Sequence, residues 1–246
     1  MTAAVPTLPA FADVLSAAAR IAPHAQQTPV LRSRSLDDIA GCRLYFKCEN
    51  LQRVGAFKFR GACNAIFALD DATAARGILT QSSGNHGAAV ALASRLRGLS
   101  ATVVVPEGAP AVKLAAITGY GARVVRCAPT MAARNAAAAA LIEETGAHLV
   151  HPFDDAQVIA GQGTVALEFL HSEPGLDALL TPVGGGGLLS GCALTARTLR
   201  PELEILGAEP AGAADAQASL REGRCITDMV ANTICDGLRG QLAPRT

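Results

Sequence analysis

Ile78-Leu79-Thr80-Gln81-Ser82-Ser83-Gly84-Asn85-His86-Gly87 runs from a short apolar segment through a serine–glycine turn into the alanine-rich stretch Asn85–Arg97. The first part has the length and composition of a buried strand, the last those of a helix. The alternation continues downstream. Ala101–Pro106 (ATVVVP) reads as a strand and Ala111–Thr118 as a helix. Ala122–Cys127 (ARVVRC) reads as a strand, Ala132–Thr145 as a helix and His148–His151 as a short strand. Strand and helix alternating in this way, with β-branched apolar strands, indicate βαβ units on a parallel sheet.

A second series follows Pro152, with the turn-like Asp154-Asp155 as a boundary. Gly163–His171 reads as a helix, Ala178–Val183 as a strand, Leu188–Leu199 as a helix and Glu204–Ala208 as a strand. The opening 66 residues must pack on one of the two sheets or cross between them. The run Ala136–Ala140 is good helix sequence, not a linker.

Composition narrows the class. Of 246 residues 50% are hydrophobic and 17% charged, with a formal net charge of zero. Without basic runs, nucleic acid is not an expected partner. There is no signal-type segment, and no apolar run is long enough for a membrane span, so a soluble, cytoplasmic protein is expected. Cys42, Cys48, Cys63, Cys127, Cys192, Cys225 and Cys235 never form a CxxC pair, which fits reduced, mostly buried thiols. Lysine occurs only at 47, 58 and 113.

Three stretches carry chemistry. In Thr181-Pro182-Val183-Gly184-Gly185-Gly186-Gly187-Leu188, four glycines join a strand to a helix. Glycine lets backbone N–H groups crowd around an anion, and the helix start adds free N–H groups and its dipole. Phosphate is the expected guest; a ligand-free turn is the alternative. The partial match to GxGxxG also admits a nucleotide-dependent oxidoreductase, although Ser190 holds the third glycine's place. In Phe57-Lys58-Phe59-Arg60-Gly61, two phenylalanines would desolvate Lys58, lower its pKa and suit it to reaction with an aldehyde. A helix-surface lysine is the plainer reading. Ser82–Gly87 forms another helix start, able to bind a carboxylate or to serve as a simple cap.

A reactive lysine, a phosphate cradle and a carboxylate site are together what pyridoxal phosphate and an amino-acid substrate require. The motifs ENLQ…GAFKFRGA, SSGNHG, VIAGQGTVALE and PVGGGGLLSG, in that order, resemble the serine racemase / serine–threonine dehydratase family of fold-type II pyridoxal-phosphate enzymes. The resemblance runs from Thr28-Pro29-Val30 to Asp236-Gly237. It implies an α/β fold of two open twisted parallel-sheet domains: residues 1–76 with 153–246 around the cofactor phosphate, and residues 77–152 carrying the substrate loop.

The resemblance also implies roles. Lys58 would bond the cofactor's aldehyde and Phe57 would line its ring. Asn85 would hold the ring hydroxyl, Gly184, Gly185, Gly186, Gly187 and Leu188 the phosphate, and Gly237 would lie near the ring. Ser82, Ser83, Asn85 and His86 would bind the substrate carboxylate, with Arg134 on the substrate side. Ser83 could return a proton to the face opposite Lys58, or merely cap a helix. Glu209, the Ala213 carbonyl and Asp215 would hold Mg²⁺ or Ca²⁺, a hard cation suited to oxygen ligands; an acidic loop without metal is the alternative.

The expected activity is elimination from L-threonine or L-serine to a 2-oxo acid and ammonia, with serine racemisation as the alternative. The family is homo-oligomeric, and its members continue beyond the position of Thr246. A fragment of a longer enzyme, or an inactive cofactor-binding remnant, is therefore also expected. Gly240 stands where members often carry a hydroxyl.

Overall fold

The computed structural model describes residues 7–243 and 245–246. Along the chain the elements are α1 (Phe11–Ile21), β1 (Val30–Leu31), α2 (Arg34–Ala40), β2 (Phe46–Lys47), α3 (Lys58–Ala68), α4 (Asp71–Ala75), β3 (Ile78–Gln81), α5 (Asn85–Leu96), β4 (Ala101–Pro106), α6 (Ala111–Gly119) and β5 (Arg123–Cys127). They continue with α7 (Met131–Thr145), β6 (His148–Leu149), α8 (Ala156–Ser172), β7 (Ala178–Pro182), α9 (Gly187–Leu199), β8 (Glu204–Ala208) and α10 (Asp215–Glu222). The protein is an α/β structure with parallel sheets and flanking helices.

Strands β3 to β6 form one parallel sheet in the order β5-β4-β3-β6. The chain moves outward from β3 through β4 to β5, and α7 then carries it back to the other side of β3. Strands β3 and β6 are thus neighbours whose following loops part company, the place where open α/β sheets form a binding crevice. Those loops are Ser82–Gly84 and Val150–Asp155. Strands β7 and β8 form a second, two-stranded parallel sheet, and β1 pairs with β2 antiparallel. In the second sheet Leu179 is buried, whereas Leu180 and Leu206 are exposed.

Helix α8 starts at Ala156, seven residues before the expected Gly163 (163 − 156). The Asp155 carboxylate accepts from the N–H groups of Gln157 and Val158, so the supposed turn is a helix cap. Gly161 and Gly163, weak helix formers, are needed for close packing. A Cβ on Gly161 would lie 2.6 Å from the Gly61 Cα, and one on Gly163 would lie 2.8 Å from the Gly191 carbonyl oxygen. Helices α3, α8 and α9 are therefore stacked through backbone contacts.

The cysteines do not follow the expectation of mostly buried thiols. Only Cys63 and Cys192 are buried, while Cys42, Cys225 and Cys235 are exposed; all seven are free. Burial pushes the Cys63 and Cys192 thiols up to about 12. Among the described residues, no helix is long and apolar enough to cross a membrane.

Candidate active site

Lys58 is the first residue of α3, whose next eight positions, Phe59 to Ile66, are all buried. Its Nζ donates to the Pro152 carbonyl at 2.8 Å and lies 5.3 Å from the Phe57 ring centroid. Burial lowers its pKa from 10.5 to about 8. The expected desolvated amine is thus present, with the Phe57 ring beside it and the Pro152 carbonyl as its one hydrogen-bond acceptor among the described residues.

The segment after β6 that holds Pro152 also gathers the Ser82–Gly87 loop. Thr80 Oγ1 donates to the Val150 carbonyl at 2.8 Å, and His86 Nε2 lies 3.3 Å from the same oxygen. His86 is only 2% exposed, its Nδ1 has no partner among the described residues, and burial lowers its pKa to about 3. Its imidazole is neutral, so what it can offer an anion is a dipole and its backbone N–H, not a positive charge. Gly87 allows α5 to close onto the β3 loop, since a Cβ there would sit 2.2 Å from the Ser82 carbonyl oxygen.

No side chain caps α5, whose N-cap is Gly84. Ser82 Oγ accepts from the Gly84 N–H at 3.2 Å. Ser83 makes no side-chain hydrogen bond among the described residues, so it is not a helix cap. Asn85 is exposed at the first helical position. Arg134 is in the first turn of α7, and no hydrogen bond links it to another expected site residue.

The glycine loop also meets the requirements of an anion cradle. Gly186 has φ +83° and forms the N-cap of α9 without any side-chain cap. Cβ atoms at Gly185 and Gly187 would meet Phe153 at 2.4 and 3.0 Å. Gly237 belongs beside the loop, its carbonyl oxygen lying 3.3 Å from where a Gly184 Cβ would stand. The side chains of Leu242 and Thr246 also lie close to Gly186, at 2.9 and 2.7 Å from where a Cβ would stand. Phe153 joins the two halves of the site, following the Pro152 that binds Lys58 and packing on the loop. Sequence reasoning missed it, because the neighbouring Pro152 suggested only a boundary.

The residues expected to hold a cation lie around the start of α10. The Glu209 carboxylate accepts from the Ala216 and Gln217 N–H groups at 3.0 and 2.8 Å. Asp215 Oδ2 accepts from the Leu242 N–H at 3.0 Å. No cluster of three or more His, Cys, Asp or Glu suited to a metal occurs among the described residues. Each of these carboxylate oxygens accepts one backbone N–H and keeps a second lone pair, so the contacts leave Glu209, the Ala213 carbonyl and Asp215 with the ligand role the resemblance implies as an expectation, and no step is derived through a metal.

Two helix starts with uncapped N–H groups, one beside a depressed-pKa lysine and one built from glycine, meet what an aldehyde-bearing phosphate cofactor requires. Residues 21–246 match the family model described as pyridoxal-phosphate dependent enzyme, and the chain belongs to that family. It is 49% identical over 238 residues to serine racemase from Arabidopsis thaliana, covering 96% of this chain and 72% of that protein. It is 46% identical over 231 residues to the beta-hydroxyaspartate dehydratase of Paracoccus denitrificans, covering 94% of this chain and 73% of that one. The solved structure of maize serine racemase superposes with a TM-score of 0.95 at 46% identity, over 96% of this chain and 72% of that one. The architecture is therefore that of fold-type II pyridoxal-phosphate enzymes, and the relatives are racemases and lyases.

Proposed function

We propose that this protein acts on a small β-hydroxy α-amino acid of the serine type, racemising it and, through loss of the β-hydroxyl, also dehydrating it. The observation that carries this reading is Lys58, an amine able to be neutral near physiological pH, fixed between Phe57 and Pro152, the residue before the Phe153 that packs on the glycine loop. When bound, pyridoxal phosphate draws electron density from the substrate α-carbon and so acidifies its proton.

The chain's own residues do the rest. The N–H groups of Gly184–Leu188 hold the phosphate, Phe57 and Phe153 shut water from one side, and Asn85 holds the ring hydroxyl. The start of α5, with Ser82 and Asn85, binds the substrate carboxylate. Lys58 Nζ takes the α-proton, and the unengaged Ser83 hydroxyl gives one back. Residues 77–152 form the substrate-side lobe in this reading, and residues 1–76 with 153–246 the cofactor lobe.

Dehydration of serine or threonine alone is the second reading, and the similarity to a dehydratase favours it. The test is to incubate the cofactor-loaded protein with L-serine, L-threonine and 3-hydroxyaspartate while measuring 2-oxo acid and the chirality of the remaining substrate. Replacing Ser83 with alanine is expected to cut racemisation by about 100-fold or more while elimination persists. Equal loss of both activities, or none of either, would remove Ser83 from its role.

A further inference from the structure

Arg60, two residues after Lys58, is fully buried at 0% exposure. Its guanidinium makes two bidentate forks. Nε and Nη2 donate to Glu49 Oε2 and Oε1, both at 2.8 Å, and Nη1 and Nη2 donate to Glu168 Oε1 and Oε2 at 2.7 and 2.9 Å. Lys47 Nζ donates to Glu168 Oε2 at 2.7 Å, and Thr28 Oγ1 donates to Glu49 Oε1 at 2.6 Å. Two cations and two carboxylates leave the cluster neutral. Desolvation opposes the buried charge, but Glu49 and Glu168 outweigh it and hold the Arg60 pKa above its ordinary value. A solvent-lined cavity of about 410 Å³ reaches Lys47 and Glu168 but does not touch Arg60.

Such a cluster is poorly explained as a source of stability, because desolvating the ions offsets most of their attraction. Its strength is geometric, since two planar forks fix a guanidinium in both position and orientation. Here the fork ties the first turn of α3 to α8 and to the Glu49–Leu51 turn. The same turn of α3 touches α8 through its backbone: a Cβ on Gly161 would stand 2.7 Å from the Arg60 carbonyl oxygen.

We propose that Arg60, through Glu49 and Glu168, is a positioning residue that holds the first turn of α3 so that Lys58 stays dehydrated and aimed at the site. The inference rests on the role given to Lys58 above. Lysine at position 60 keeps the charge but cannot make two forks. The shorter Glu168→Asp keeps both charges and loosens one fork.

Three measurements on the purified chain separate positioning from general damage: the pH midpoint for acetylation of Lys58 in the cofactor-free protein, read by peptide mass spectrometry; borohydride-fixed incorporation of pyridoxal phosphate at Lys58; and affinity for pyridoxine 5′-phosphate, which has the phosphate but no aldehyde. Arg60→Lys is expected to move the midpoint upward by a unit or more and cut incorporation tenfold or more, with pyridoxine phosphate affinity within twofold of wild type. Glu168→Asp should do the same more weakly, and decides the matter if Arg60→Lys does not fold. An unchanged midpoint and incorporation in a folded variant would overturn the proposal. So would parallel losses of incorporation and phosphate affinity. Failure of the unaltered chain to label at Lys58 is a different result, which removes the lysine's role itself.

Discussion

A lysine amine in water is almost wholly protonated near neutrality, and so is a poor nucleophile and no base. Lys58 departs from this for one reason, the burial of its amine behind Phe57 and under Pro152. A fall from 10.5 to about 8 leaves roughly a tenth of the side chains neutral at pH 7, roughly 300-fold more than usual. Acetylation of Lys58 in the cofactor-free protein should therefore rise with pH around a midpoint near 8, while a short unstructured lysine peptide continues to gain reactivity at higher pH. Coincident profiles would show that burial does not act as described. Stability responds to the same proton: the buried ammonium opposes folding below pH 8, and the penalty fades as pH rises through 8 toward 10.5. His86 shows the opposite use of burial. Held neutral down to about pH 3, it should leave the pH profile between 5 and 8 untouched.

At the scale of elements, three helices decide where chemistry can happen. Lys58 begins α3, the glycine loop begins α9, and α8 separates them through the Gly61–Gly161 and Gly163–Gly191 contacts. The glycines of VIAGQGTVALE are thus spacers between α3 and α9. Gly161→Ala should destabilise the fold by about 1–3 kcal/mol through overpacking, partly offset by alanine's better helix propensity. Gly119, at the end of α6 with nothing within 4 Å of where a Cβ would stand, is the control and should tolerate alanine. Urea unfolding midpoints compare the two; a Gly161→Ala protein as stable as wild type would contradict the close helix contact. These glycines also explain why the start of α8 is hard to read from sequence. Glycine argues against a helix until the neighbouring backbone that demands it is known.

For the molecule as a whole, residues 77–151 were the most legible part. Strands β3 to β5 there carry β-branched residues and the helices between them alanine, so local pattern and tertiary role agree. The lysine, the glycine loop and the serine loop were legible because backbone chemistry ties such residues to short spacings. The fold of the first 66 residues was not, since their short elements α2, β1 and β2 carry little periodic signal. Nor was the Arg60 cluster: Lys47, Glu49, Arg60 and Glu168 are brought together across more than a hundred positions, and no spacing rule joins them. Phe153 became visible only when the end of β6 was seen against the glycine loop. Everything converges on one covalent bond. Incubated with pyridoxal phosphate, reduced with borohydride and digested, the protein should carry a phosphopyridoxyl group on Lys58 and lose that label in Lys58→Ala. Label absent from Lys58, or unchanged in total after the substitution, would contradict the account.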